Sequence, residues 1–327
     1  MSDNEAERRS RLLSAKLAAL MSQQMGIDVS TYTAEPCGLG TALVSDDAVW
    51  ILVDGDASRS LGPAIAWATK FAPSLHLVVD NHSGVLARRA SGFATSISVW
   101  HVEDTRLLAA IAEPHRDAVT PSAAHATFIS DIASAGADPL VEWGVVVGEV
   151  RGLEICRVVD DEHTGEARIE VGIGAHDRET FALVHQERPI DESMRSVVDT
   201  VGAHRVEGAP FHPYNHLAPE RFARWSALQT PSALGFVSLT QVDPPEMRTN
   251  VKDSVPCVAV GVDDSGNTTA VVFVHGIDLD VVPFAVDAAL QHSCAQVMIV
   301  ARPQDVVASH RVMAGATLAA TTFSSLS

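Results

Sequence analysis

Apolar positions recur at helical spacing through Leu13, Leu17, Leu20 and Met21, which predicts an amphipathic helix over about 5–25, with Asp3 or Asn4 able to accept its first amide hydrogens. Beyond it the period shortens to that of strands. TALV (41–44) and VWILVD (49–54) flank the turn residues Ser45-Asp46-Asp47 and predict a hairpin. Helical spacing returns over 61–72, LHLVVD (75–80) is a short buried strand, 83–93 is helical, and SISVWHV (96–102) is another strand. The predicted order is ββαβαβ.

The same order recurs near the other end, in CVAVGV (257–262), AVVFVH (270–275), a helix over 279–291, QVMIVA (296–301), a helix over 304–314 and ATLAATTF (316–323). Laying Pro63 on Pro283 sets an offset of 220 that also places Ile51 on Val271, Leu77 on Val297 and Leu86 on Val306 without a gap. The match is one of spacing rather than identity, and it predicts an internal repeat of two Rossmann-like modules. Between them the pattern reads as a helix over 122–135, strands VEWGVVVGEV (141–150), LEICRVVD (153–160) and ARIEVGIG (167–174), and helices near 177–186 and 190–203. A stretch rich in Pro and His (208–219) and a helix at about 219–229 follow. The expectation is an α/β protein in three parts, residues 1–120, 121–217 and 218–327, with ββαβαβ modules flanking a central α+β segment.

Composition narrows this picture. The chain is 46% hydrophobic and 20% charged, an ordinary globular balance, and no apolar run approaches the roughly 18 residues of a membrane span. Its net charge of −18 opposes a broad electrostatic grip on nucleic acid, which needs clustered Lys and Arg. Cys37, Cys156, Cys257 and Cys294 lie far apart without a C-x-x-C pair, as expected of reduced, buried thiols. The start Ser2-Asp3-Asn4-Glu5 lacks the features of a signal peptide, so a cytoplasmic location without a membrane partner is expected.

Candidate chemistry is sparse. There is no G-x-G-x-x-G, no G-x-x-x-x-G-K-[ST] and no G-x-S-x-G, which removes the common phosphate loops and the nucleophile elbow. Strand ends carry Asp54, Asp56, Asp80 and His101, then His275, Asp278 and Arg302. The pair Asp54 and Asp56 after an apolar strand resembles the first motif of haloacid-dehalogenase-type phosphatases, though Asp80 stands where that family has Ser or Thr. His204, His212 and His216 offer imidazoles, but Pro213 breaks the helical spacing that would let two of them share a metal, so a polar loop is expected.

The central acids Glu154 and Glu170, on the second and third strands, carry a resemblance to the PD-(D/E)XK nuclease family over about 80 residues. The resemblance implies a metal-dependent core in which Glu154, Glu170 and Asp160 (or Asp161) hold Mg²⁺, with Glu154, Glu170 and Arg168 as the catalytic set. The motif lysine is absent, its place taken by Gly172, and Arg157 or Arg168 would have to supply the positive charge. Arg168 and Glu170 should share one strand face, with Ile169 and Val171 on the other, buried against the helices near 122–135 and 177–186. Two functions follow as expectations. One is a nucleic-acid-related protein with a degenerate, inactive nuclease-like core; the other is a non-catalytic scaffold or small-ligand-binding protein that works through a protein partner or as a homo-oligomer.

Overall fold

Runs of β-branched and aromatic residues form the strands, and the alanine- and leucine-containing stretches between them form helices, in a mixed α/β architecture. The computed structural model describes residues 3–184, 189–248, 250 and 253–326. It contains sheets of six, four and five strands. The chain divides into two compact units, Met1–His115 with Gly276–Ile299 and Pro303–Phe323, and Arg116–His275 with Val300–Arg302 and Ser324–Ser327. No helix among the described residues is long and apolar enough to cross a membrane.

The first unit opens with α1 (Asp3–Met25), followed by β1 (Thr33–Cys37), β2 (Gly40–Val44), β3 (Ala48–Val53), α2 (Leu61–Ala68), β4 (Ser74–Val79), α3 (Ser83–Ala90), β5 (Ser96–Glu103) and β6 (Arg106–Ala109). Strands β1 to β6 form one sheet in chain order. Pairing is parallel for β3 with β4 and β4 with β5, the two pairs joined by helices, and antiparallel elsewhere. Buried Leu17, Leu20 and Met21 of α1 pack with Leu43, Trp50, Leu52, Val102 and Leu107. Each such side chain contributes on the order of 1.5–3 kcal/mol. The edge strands β1 (TAEPC) and β6 (RLLA) were outside the predicted pattern because they are short and mostly polar or exposed.

On the α1 side of this sheet, Trp50 stacks on His76 with ring centroids 4.0 Å apart, and Trp100 Nε1 donates to His76 Nδ1 at 3.1 Å. Burial holds the His76 pKa below its usual value. The unfolded chain therefore takes a proton on His76 below about pH 6.5 that the folded chain resists, so stability falls as pH drops from there toward the folded value. Urea unfolding followed by tryptophan fluorescence should show this loss in the native chain and less of it in His76→Phe; parallel pH curves would refute it.

The second unit contains α4 (Ala123–Ala126), α5 (Ile129–Ser134), β7 (Asp138–Glu142), β8 (Val145–Val150), β9 (Leu153–Asp160), β10 (Ala167–Val171), α6 (Ala175–Val184), α7 (Ile190–His204), α8 (Pro213–His216), α9 (Pro219–Gln229), β11 (Ser238–Val242), β12 (Cys257–Val262) and β13 (Thr268–Phe273). Strands β7 to β10 form an antiparallel meander. The expected single strand 141–150 is two, because Trp143 and Gly144 both take positive φ (53° and 76°) and close a two-residue hairpin turn. Arg151 and Gly152 (48° and 78°) close the next one. One sheet face is apolar, and Ile169 and Val171 cluster there with Ile132 of α5 and Met194 and Val201 of α7. The expected continuation of α6 to residue 186 lies outside the described residues.

The chain then returns to the first unit through α10 (Val281–Gln291), β14 (Gln296–Val300), α11 (Ala308–Ala314) and β15 (Ala320–Ser324), the five-stranded order being β11-β12-β13-β14-β15. Helix α10 packs on α3 and α2, and α11 packs on α2. The contact is polar as well as apolar: fully buried Asp287 accepts from Arg88, Arg89 and His115, while Asp280 accepts from Arg89 and from Gly62 N. These bonds tie residues 276–299 to 1–115. Residues 218–275 belong to the same compact unit as 116–217, and most of the chain beyond 276 to the unit of residues 1–115.

Candidate functional site: an arginine-lined cleft

The second face of the meander is polar. Residues Ala137 to Val150 alternate so that Asp138 and Glu142 share a face of β7, and Asp138 stands opposite Glu149 of β8. A bulge decides what happens on β9: Gly148 pairs with Cys156 and Glu149 with Glu154, leaving Ile155 as an extra residue. The extra residue shifts the alternation, placing Glu154 on the same face as Arg157, which stands opposite Glu170 of β10. Five carboxylates therefore line one face, and arginines from outside the meander reach down to them.

Helix α9 supplies two of these arginines. Arg221 donates to Glu142 at 2.6 Å and to Glu149 at 2.7 Å, while Arg224, 1% exposed, lies 3.6 Å from Glu149 and 4.0 Å from Glu142. Arg178 of α6 bridges Glu154 (3.2 Å) and Glu170 (3.6 Å), and Arg157 holds Glu154 in a two-pronged pair at 3.0 and 3.1 Å. Arg248 reaches Glu220 at 3.2 Å. Together Glu142, Glu154, Arg157, Arg178, Arg221 and Arg248 line a cleft of about 450 Å³, closed on one side by Gly174–Asp177 at the start of α6 and by Asn250.

Burial and charge act against each other here. Burial opposes ionisation of Glu149, but Arg221 and Arg224 outweigh it and hold the carboxyl below its usual range. Burial also opposes the charge of Arg221, yet Glu142 and Glu149 raise its pKa well above the ordinary value. Glu220 has the opposite balance: burial pushes its carboxyl up. Arg248 is lowered by burial and then by the charge of Arg221. Arg205, bonded to the carbonyls of Arg151, Tyr214, Leu217 and Ala218 rather than to a carboxylate, is lowered to about 10 by burial.

Of the residues named from sequence, Glu154, Glu170 and Arg168 share the polar face, with Arg168 bonded to Glu170 at 2.7 Å and paired with Asp161 at 3.1 Å. Asp160 does not join them. It lies six residues along β9 from Glu154, roughly 20 Å at the rise of a strand, and its carboxylate meets His125 at 2.8 Å. Position 172 admits no side chain, because a β-carbon there would stand 2.7 Å from Arg178 N. The cation nearest both acids is Arg178, from the following helix. Asp54 is held by Arg9 at 2.6 and 2.8 Å. His204 and His212 stack face to face at 3.8 Å, so their in-plane lone pairs run parallel instead of converging. Pro213, expected in a loop, opens the one-turn helix α8, where its missing N–H is no loss. Among the described residues, no three His, Cys, Asp or Glu side chains are placed to hold a metal ion.

Glu142, Glu149, Arg178, Arg221, Arg224 and Arg248 escaped sequence reasoning because they come from segments that no motif links. A signal was present in PERFARWSALQ, where Glu220, Arg221 and Arg224 fall on the helix face that also carries buried Ala227. No family model, curated protein or solved structure matches the chain.

Proposed function

We propose that the cleft binds a small organic anion, a carboxylate or a phosphate ester, and that the protein acts as a ligand-binding protein. The observation that carries this is a cluster of guanidiniums: Arg157, Arg178, Arg221 and Arg248 line one cleft, with Arg224 beside Glu149 behind it, in a chain whose net charge is −18. Guanidinium forks suit planar, two-pronged recognition of carboxylate and phosphate. The cleft volume falls within the range of roughly 300–1,000 Å³ usual for small-molecule sites.

Metal-dependent phosphodiester chemistry is the second reading, favoured by Glu154 and Glu170 sharing one face and one guanidinium. It requires Mg²⁺ to displace Arg178. Calorimetric titrations of sulfate and of Mg²⁺ separate the two. Sulfate should bind, and Arg178→Gln should weaken it about tenfold or more, since a hydrogen bond to a charged group contributes about 1.5–3 kcal/mol. Mg²⁺ binding that Glu170→Ala removes, with no heat from sulfate, would reverse the choice.

We also infer that the two ββαβαβ modules are copies of one unit. Ala48–Val53 and Thr268–Phe273 stand 220 residues apart, as do the starts of α2 and α10. The second helices and last strands lie four or five residues further along. Reciprocal packing of α2 on α11 and of α3 on α10, with an antiparallel bridge from Phe93 to Thr317, supports a two-fold relation between these helices.

A further inference from the structure

We infer that anion binding in the cleft is coupled to proton uptake by Glu220, an inference that rests on the anion reading above. Glu220 is 2% exposed on α9, with Oε1 accepting from Arg248 Nη1 at 3.2 Å and Oε2 buried without a hydrogen-bond partner. Arg248 is also a wall of the cleft. Its Nε donates to Asn250 O at 3.0 Å, so the guanidinium that holds the buried carboxylate is also one that an anion in the cleft would meet.

The other groups facing Glu220 do not replace Arg248. Arg221, its neighbour on α9, donates to Glu142 and Glu149, and Arg224 is paired with the same two acids at 4.0 and 3.6 Å, its Nη atoms making no hydrogen bond among the described residues. Arg205, at the end of α7, spends its donors on four backbone carbonyls. From β12, the Cys257 thiol donates to the Glu220 carbonyl and is held protonated by burial, its pKa pushed up to about 12. An anion drawn onto Arg248 thus leaves Glu220 as a buried carboxylate with a weakened counter-charge. Such a group returns to the neutral acid. Burial already pushes Glu220 in that direction. The step is a single proton transfer from solvent to a carboxylate oxygen, with no other bond made or broken.

Reciprocity fixes the pH dependence. Where Glu220 is ionised in the free protein, affinity should rise as pH falls, by at most about tenfold per unit, and should level off once the acid is already neutral. Sulfate is the suitable probe because it does not titrate near neutrality. The chain titrated with sulfate between pH 6 and 8, in paired buffers of different ionisation enthalpy, should show net proton uptake of at most one per ion within that range. Glu220→Gln should bind sulfate with the same heat in both buffers and a flat pH profile. Sulfate binding with no uptake anywhere in the range overturns the coupling and leaves the anion reading standing, as does equal uptake in Glu220→Gln. If the variant fails to fold, the paired buffers with the native chain still decide. Absence of sulfate binding overturns both.

Discussion

Replacing Asp287 with alanine should lower the stability of the first unit by about 3–5 kcal/mol, the range for breaking a buried ion pair from one side. Asp287 is fully buried and takes hydrogen bonds from Arg88 Nε (2.7 Å) and Nη2 (3.1 Å), Arg89 Nε (3.1 Å) and His115 Nε2 (2.8 Å). Burial opposes its charge, but Arg88, Arg89 and His115 hold the carboxyl below its ordinary range. Removing it takes a carboxylate from one fully buried and one nearly buried guanidinium, leaving Arg89 on Asp280 and Arg88 on the carbonyls of Glu113 and Pro114. Domains of this kind are stable by only about 5–15 kcal/mol, so the loss should appear as a large fall in the urea midpoint. A change below about 1 kcal/mol would mean that apolar packing alone joins α3 and α10. Replacing Arg88 and Asp287 together by Met and Leu, with Arg89 kept on Asp280, should restore part of the loss, because the desolvation of two charges disappears with the charges. The acid limb has a definite sign: a carboxyl whose folded pKa is lowered contributes above the unfolded value of about 3.9 and loses that contribution as pH falls below it. Asp280, raised to about 6 by burial, works in the opposite direction between those values.

These residues also show how far the sequence could be read. Strands and helices over 41–102 and 257–323 were legible because each is a short apolar run bounded by turn residues. That Arg88 and Arg89 would meet Asp287 was not legible. The two segments stand about 200 residues apart, and a pair of arginines on a short helix reads as a solvated end. The central sheet failed for a different reason. VEWGVVVGEV has no Asn-Gly or Asp-Gly dipeptide, so Trp143-Gly144 gave no turn signal, although a tryptophan there adopts positive φ. Once that turn is placed, Glu142 and Glu149 fall on one face. The bulge at Ile155 could not be counted from alternation, since one inserted residue reverses every later assignment. Glu154 was therefore found as a residue but not as a neighbour of Arg178.

The geometry of the cleft depends on a contact that no charged side chain makes. Gly152, at φ +78° in the turn between β8 and β9, lies so close to α9 that a β-carbon would stand 2.3 Å from Arg221 O and 2.5 Å from Arg221 C. Backbone cannot move aside as a flexible side chain can. Gly152→Ala should thus carry two penalties, about 1–2 kcal/mol for a left-handed alanine and about 1–3 kcal/mol for forcing α9 outward. Gly165→Ala separates them, because that turn glycine has φ +70° but nothing within 4 Å of the added carbon. It should show the first penalty alone. The displacement matters for the site because Arg221 carries the pairs to Glu142 and Glu149, whose geometry within 3 Å fixes where its guanidinium meets the cleft. Gly152→Ala should accordingly weaken sulfate binding as well as lower the unfolding midpoint, whereas Gly165→Ala should leave binding unchanged. Equal stability losses in the two variants would show that α9 yields without strain. Unchanged sulfate affinity in Gly152→Ala would show that the position of Arg221 is set from the acids rather than from the helix that carries it.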